Sequence, residues 1–267
     1  MKTTEIKTLS LEEIKINAPQ AFATTPGPGV SDKYTFLPTS RVMEDMAKLG
    51  WEVCEAKTSR YRNDTNRSFG KHIIKFYNKD IFISDGEGGV EAYPNIVVMN
   101  SHTGRGSFRF EMGIFRLVCS NGLVIKDQDM GSFELRHKGY SFEELQLTIE
   151  KAVDNLPSIV SRINSLSSRI MTKQEQHKFA QEAFKLRAGE DRVLTSQELE
   201  AMLAPKRPAD AGDNLWKVLN RVQESVIKGG FSAVNASGKL RRIKGIKNIE
   251  KDLNINQSIW ELSTQYA

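Results

Sequence analysis

The sequence has 267 residues, 39% of them hydrophobic, with 38 lysines and arginines against 33 acidic residues and a formal net charge of +5. This composition supports a sizeable core, and the mild basic excess is compatible with binding to a polyanion. Cys54 and Cys119 lack CxxC spacing, which disfavours a zinc site or a disulfide framework and predicts reduced, buried packing residues. Since no apolar run reaches ~18 residues, a membrane-spanning helix is not expected.

The N-terminal segment contains two different signals. Residues 1–30 lead into TTPGPGVSD, whose prolines and glycines disfavour helix and sheet and predict an arm with little regular structure. In RVMEDMAKLG, Val42, Met46 and Leu49 share one helical face, and Gly50 stands where a helix would end. This spacing predicts a short helix that precedes the strand-forming part of the chain.

Strand signals fill the region between this helix and Gly139. WEVCEAKTSRYR and GKHIIKFYN predict two strands joined by the polar NDTNRSFG, and NIVVMN predicts a buried strand after the glycine-rich SDGEGG. The stretch from Asn100 to Gly139 alternates apolar and polar residues and predicts three more strands, at residues 107–111, 115–119 and 133–136, with a tight hairpin at Asn121–Gly122. We expect an antiparallel β-meander of five or six strands with one apolar face and arginines on the solvent face.

A long helix is predicted after the sheet. Ser141 and Glu144 have the spacing of a capping box, and the apolar residues that follow recur at alternating steps of four and three, as in a heptad seam. The seam consists of Leu145, Ile149, Ala152, Leu156, Ile159, Ile163, Leu166 and Ile170. Pro157 is expected to kink this helix. Two interpretations stay open: the helix lies across the sheet, or it pairs two chains into a homo-oligomer.

The pattern of residues 171–267 is typical of a helical portion. Capping-box spacings occur at Thr172 and Thr195, and LWKVLNRVQESVIKGG and NINQSIWELS predict two further helices. Between these two, GKLRRIKGIKNIEK carries the densest run of cations in the chain. The predicted fold is therefore α+β, with an antiparallel β-meander preceded by a short helix and followed by a long helix within residues 31–170, and then a C-terminal helical portion.

The inventory of reactive residues does not favour an enzyme. His72, His102, His137 and His177 are scattered without HxH or HExxH spacing, so neither a metal site nor a cofactor is expected. GEGG and TGRGS fall short of a phosphate-binding loop, because no GK[ST] follows and the flanking segments predict strands. A polar loop is enough to explain the pair Ser101–His102.

Cations cluster in two places, and clustering favours contact with the phosphates of a nucleic acid. The first group is Arg60, Arg62, Arg67, Lys71, Lys75, Arg105, Arg109 and Arg116, with Tyr61, Phe69 and Tyr77 interleaved as candidate base-stacking rings. The second group, in the C-terminal basic run, is Lys239, Arg241, Arg242 and Lys244. For any single cation an ordinary solvated position is explanation enough. We expect the first group to be the main binding face, slightly ahead of the second.

Four segments carry a resemblance to a known family. They are YTFLPTSRVMEDMAKLGWEV, NSHTGRGSFRFEMGIFRLVCSNGLVI, NLWKVLNRVQESVIKGG and NINQSIWELS, which together span roughly residues 31–262. They resemble a phage- and plasmid-borne family catalogued as a domain of unknown function, which implies a setting on a mobile element. The order of elements is also similar, by analogy of fold, to the core of single-strand annealing recombination mediators, some of which form rings.

These observations predict a function without catalysis. Annealing needs cations along a groove and self-association, and it needs no acid, base or metal. We expect a phage or plasmid protein in the cytoplasm of the bacterial host that binds single-stranded DNA and assists recombination or replication. The alternative is a protein-interaction or host-takeover factor that does not bind nucleic acid.

Overall fold

The computed structural model describes residues 6–59, 64–84, 90–104, 106, 108–116, 122–124, 140–235 and 237–267, with the backbone alone at 64–66, 115–116 and 122–124. The chain divides into two compact units, Met1–Leu156 and Pro157–Ala267. This division falls earlier in the chain than the boundary after residue 170 that the sequence predicted. It coincides with Pro157, where the helical seam was expected to bend.

The first unit is built on an antiparallel sheet. Its strands are β1 (Glu52–Thr58), β2 (His72–Tyr77), β3 (Ile83–Ser84), β4 (Val90–Asn100), β5 (Arg109–Arg116) and β6 (Gly122–Val124). They lie in the order β1-β2-β4-β5-β6, and β3 pairs with the start of β4. The predicted antiparallel sheet of five or six strands is therefore confirmed, with six strands among the described residues.

Helices pack against one face of this sheet. The helices of the unit are α1 (Leu11–Asn17), a 3-10 turn (Pro19–Phe22), α2 (Thr39–Lys48), α3 (Asp64–Phe69) and α4 (Phe142–Asp154). Phe76, Ile96 and Phe110 of the sheet form one buried cluster with Met46 of α2 and Leu145 of α4. The short helix before the sheet and the helix after it both occur where the sequence placed them.

Residues 6–30 have more regular structure than the sequence suggested. Ser10 and Glu13 form a reciprocal capping box that starts α1, and the Leu9 N–H donates to the Val53 carbonyl at 2.8 Å. Ile14 of α1 then reaches the buried cluster. The predicted arm therefore contains a helix that is part of the core, because a cap and one apolar contact outweigh the later prolines and glycines.

Two details of the predicted sheet are wrong. The segment from Arg109 to Arg116 is one strand, because Met112 and Ile114 continue the buried alternation of Phe108 and Phe110. Gly122 pairs with Phe115 and so belongs to β6 instead of the predicted turn, while residues 117–121 lie outside the described residues. The last predicted strand, at residues 133–136, lies outside the described residues.

The second unit holds the remaining helices and a small hairpin. Its elements are α5 (Leu156–Ser168), α6 (Lys173–Ala188), α7 (Ser196–Leu203), α8 (Leu215–Lys228), β7 (Ser232–Val234), β8 (Leu240–Arg242) and α9 (Ile249–Thr264). Thr172 and Thr195 cap α6 and α7 as predicted. The hairpin of β7 and β8 was not predicted, since both strands have only three residues and show no periodicity.

The predicted helical seam is interrupted as expected near Pro157. It divides into α4 and α5, which belong to different units. Six seam residues are buried: Leu145, Ile149, Ala152, Ile159, Ile163 and Leu166. Ile170 lies beyond the end of α5 and is 63% exposed. The seam thus buries most of its apolar edge within single chains, and pairing between subunits stays a prediction.

Candidate nucleic-acid interface

The C-terminal basic run forms a two-stranded antiparallel hairpin. The paired residues are Ser232 with Arg242, Ala233 with Arg241, and Val234 with Leu240. Asn235 shapes the turn, because its side-chain oxygen accepts a hydrogen bond from the Lys239 N–H at 2.9 Å. Gly238 follows with a φ of +74°, a left-handed conformation that favours glycine. Local sequence therefore determines where the chain reverses.

One face of the hairpin is anchored in the second unit. Phe231, Ala233 and Ile243 are buried, and the Phe231 ring meets the Phe184 ring of α6 at 5.7 Å in a T-shaped contact. On the outer edge of β7, the backbone of Val193 pairs with that of Val234. The hairpin is therefore held on its inner face and along one edge, which leaves β8 as the open edge.

The base of the hairpin lies directly against the end of α8. Gly230 donates its N–H to the Ile243 carbonyl at 2.8 Å, and Arg187 donates to the carbonyl oxygens of Val226 and Lys244. Gly229 has a φ of +65°, and a Cβ there would lie 2.6 Å from the Ile243 carbonyl oxygen. Close backbone packing and a bridging guanidinium thus fix the hairpin relative to the helix.

Exposed cations stand on both sides of β8, because Arg242 lies opposite Ser232 while Arg241 lies opposite the buried Ala233. All of the following side chains are exposed: Lys239, Arg241, Arg242, Lys244 and Lys247. Among the residues that the structure describes, none of them forms an ion pair, whereas cations elsewhere in the unit, such as Arg207 and Lys228, are paired with Glu224. The hairpin therefore presents positive charge that no described carboxylate neutralises. We call these residues the hairpin cations.

Lys75, in the first predicted group of cations, lies in the wrong place for a phosphate contact. Its side chain is 9% exposed and its ammonium group lies 2.7 Å from Glu55 Oε2. Burial would raise the pKa of Glu55, but Lys75 and Lys57 hold it at about 2. The sequence assigned Lys75 to a solvent-facing side of β2, yet every residue of β2 is buried. Its prediction as a binding residue is therefore wrong.

The rest of the first group does not form a described continuous surface. Arg67 is exposed on α3, in the connection where the sequence predicted no helix, while Lys71 and Arg109 are half-buried. Arg60, Arg62 and Arg105 lie outside the described residues, as does the side chain of Arg116. Among the residues that the structure describes, the second group of cations is brought together on one hairpin, whereas half of the first group lies outside that description.

Two of the three aromatic rings predicted to stack on bases, those of Tyr77 and Phe69, are described by the structure. Tyr77 is buried and meets the Tyr93 ring edge-on at 5.8 Å, so it is part of the protein interior. Phe69 is half-buried beside Gly27, and Tyr61 lies outside the described residues. Tyr77 is thus unavailable to a base.

Two histidines that are distant in sequence come together in the first unit. The His72 and His102 rings have centroids 5.2 Å apart, and Thr39 Oγ1 lies 2.8 Å from His72 Nε2. Thr39 also accepts a hydrogen bond from Asn100 Nδ2 at 2.9 Å, while His72 Nδ1 lies 3.0 Å from the Gly70 carbonyl oxygen. Burial lowers the pKa of His72 to about 4. This cluster joins α2 to β2 and β4, and its burial suits a structural role.

The cysteine prediction is tested at one position. Cys54 is a free, half-buried thiol whose pKa burial raises to about 12, so it is unreactive in the native protein. Cys119 lies outside the described residues. Cys54 is therefore less buried than predicted, but it is reduced.

Sequence reasoning missed the residues that position the interface. Arg187 lies far from the basic run in sequence, and nothing in its local pattern indicates that it bridges α8 and the end of the hairpin. Gly229 and Gly230 were interpreted only as the end of a helix. The signal that was available is the NASG turn between two β-prone triplets, which is compatible with a hairpin.

Other kinds of site find little support in the described part of the chain. Within it, no group of three or more His, Cys, Asp or Glu side chains is arranged to hold a metal ion. Among the described helices, none has the length and apolarity required to cross a membrane.

Comparison with known proteins gives a family. The chain is similar to UPF0380 protein YafZ and UPF0380 protein YfjQ of Escherichia coli strain K12, each 28% identical over 259 residues, or 96% of this chain and 90% of the relative. No solved structure matches the chain. The family model described as "Domain of unknown function (DUF932)" matches residues 29–260, and the chain therefore belongs to the DUF932 family.

Proposed function

We propose that this protein binds single-stranded DNA through the hairpin cations and has no catalytic role at that site. The observation that carries the proposal is the exposed, unneutralised charge of Lys239, Arg241, Arg242, Lys244 and Lys247 on an anchored hairpin. Phosphates are the ligands that such a surface fits best, since each contact releases condensed counterions from the nucleic acid. Arginine adds a planar fork that can bond two phosphate oxygens at once.

The anchoring of the hairpin supports a binding role. A flexible basic tail loses conformational entropy when a ligand orders it, which weakens binding. Here the backbone bonds of Gly230 and the bridging Arg187 already fix the strand that carries Arg241 and Arg242. The cations are therefore displayed in a set geometry before any ligand arrives.

The wider setting belongs to the same proposal. The motifs resemble a phage- and plasmid-borne family, and the β-meander followed by a helix is similar to annealing mediators. We infer a factor that assists recombination or replication of a mobile element by holding a single strand in an extended form. Self-association of the chain would lengthen the bound strand.

A salt titration tests the proposal. Fluorescence anisotropy with a labelled single-stranded oligonucleotide measures affinity for the wild type and for a variant with Lys239, Arg241, Arg242 and Lys244 all changed to Gln. We expect the slope of log affinity against log salt to flatten by about 0.7 for each lost contact, to a total of about 2.8.

A matched control separates local contact from net charge. Lys33, Lys79, Lys151 and Lys173 are exposed and lie outside the hairpin, so changing all four to Gln removes the same charge. We expect this control to keep a slope close to that of the wild type. If the wild type binds neither DNA nor RNA at low salt, where electrostatic attraction is strongest, the proposal fails and a protein partner takes its place.

A further inference from the structure

The solvent face of the hairpin carries an aliphatic row beside its cations. Val193 pairs through its backbone with Val234, with N–H to O distances of 3.1 and 3.0 Å, and Val234 lies opposite Leu240. Residues directly opposite each other in an antiparallel pair project on the same face. Val193 is 55% exposed, Leu240 is 60% exposed and Val234 is half-buried. These three side chains form a row that crosses three adjacent backbone segments.

Arg242 lies beside this row on the same face. It follows Leu240 by two residues within β8, and alternate residues of a strand project on the same side, roughly 6.7 Å apart. Lys239 and Arg241 alternate with Leu240 and Arg242 and project on the other side of β8, and Lys244 follows the strand. Arg242 is therefore the cation that borders the row. An apolar strip about as wide as three side chains therefore runs next to a cationic border.

We infer that this aliphatic row contacts the faces of unpaired bases while the hairpin cations hold the phosphates, so that the hairpin selects single strands over duplex. The inference rests on the proposed function and deepens it. In a duplex the base faces are stacked and covered, and only the grooves and the backbone reach a protein surface. In a single strand the faces are open and can bury apolar area.

Charge also argues against a second copy of the chain on the open edge of β8. Pairing β8 with β8 of another chain would bring Arg241 and Arg242 of the two copies together, and like charges at a strand edge oppose such pairing. The occupant that complements the cationic border is anionic, and the occupant that complements the row has exposed apolar faces. A single strand of nucleic acid has both properties.

The test measures how surface variants bind two probes, a single-stranded oligonucleotide and a duplex of the same length. Leu240→Ser removes the largest exposed apolar side chain of the row without changing charge. We expect it to weaken binding of a single-stranded oligonucleotide about fivefold, with an unchanged salt slope and unchanged binding of a duplex of the same length. Leu240→Trp should instead tighten single-strand binding, because an aromatic ring stacks on a base. Leu147→Ser, at a 56% exposed position on α4, serves as the control and should bind like the wild type.

The possible failures can be distinguished. Absence of wild-type binding to either probe would contradict the proposed function itself. Wild-type binding that Leu240→Ser leaves unchanged, or weakens equally for both probes, would overturn only this inference. Binding to anionic lipid vesicles that depends on Leu240, with no preference for single strands, would also overturn it in favour of a membrane surface. Thermal melting of each variant checks that the fold is intact.

Discussion

The strands β2 and β8 both carry cations, and the structure treats those cations in opposite ways. β2 lies between β1 and β4 and is buried along its whole length, so Lys75 is enclosed with Glu55. β8 pairs only with β7 among the described strands, and all three of its residues are exposed. A basic residue in a strand thus becomes a surface charge or a buried partner according to the position of that strand in its sheet.

The buried pair gives the largest expected difference between the two strands. Lys75→Met removes a cation from an enclosed ion pair and leaves Glu55 with Lys57 alone. We expect a loss of about 3 kcal/mol in the free energy of unfolding, because breaking an enclosed ion pair is strongly destabilising and Glu55 keeps only the exposed Lys57 as a partner. Arg241→Met, on the exposed strand, should change it by less than ~0.5 kcal/mol.

Urea unfolding monitored by circular dichroism measures both values. The double change of Lys75→Met with Glu55→Gln should recover part of the loss, since it removes both charges together. Equal stabilities of Lys75→Met and the wild type would show that Lys75 is not enclosed. The contrast between β2 and β8 would then disappear.

A glycine at the base of the hairpin tests how firmly the exposed strand is held. Gly229→Ala places a Cβ 2.6 Å from the Ile243 carbonyl oxygen in a backbone conformation that other residues rarely adopt. We expect a loss of about 2–3 kcal/mol in unfolding free energy.

Gly230→Ala is the matched control, because its φ is also positive at +98° but no atom lies within 4 Å of the added Cβ. It should lose only about 1 kcal/mol. Similar losses would mean that the close approach to Ile243 contributes nothing.

The sequence predicted the larger elements because their signals are repetitive. Alternation identified the β-meander, the heptad spacing identified one long helical stretch that the structure divides into α4 and α5, and the capping boxes placed the starts of α6 and α7. Each of these signals extends over many residues or combines two side chains at a fixed spacing. The family resemblance was also confirmed at the level of a domain of unknown function.

The candidate interface was harder to rank because exposure is a tertiary property. The alternation around Lys75 is that of a half-buried strand, and only the neighbouring strands on both sides show that it is enclosed. Conversely, Leu240 and Arg242 have no periodic context, and Val193 reaches their face from a segment far away in sequence. Local pattern could find the cations but could not decide which of them face solvent.

The smallest effect concerns pH and sharpens the same contrast between enclosed and exposed groups. His72 has an unfolded pKa of 6.5 and a folded pKa of about 4, because burial disfavours the charged imidazolium. Between these values the unfolded state binds more protons, so the free energy of unfolding falls as the pH falls through this window.

At 1.36 kcal/mol per pH unit, acidification from neutral to about pH 5 should remove roughly 2 kcal/mol, mostly below pH 6.5. His72 takes no part in the hairpin of the second unit, so nucleic-acid binding should not follow this change. Urea unfolding at several pH values measures the loss, and His72→Asn should abolish it whereas His177→Asn, at a partly exposed position on α6, should retain it. A His72 ring that titrates near 6.5 by NMR would contradict the assignment of an enclosed, neutral imidazole.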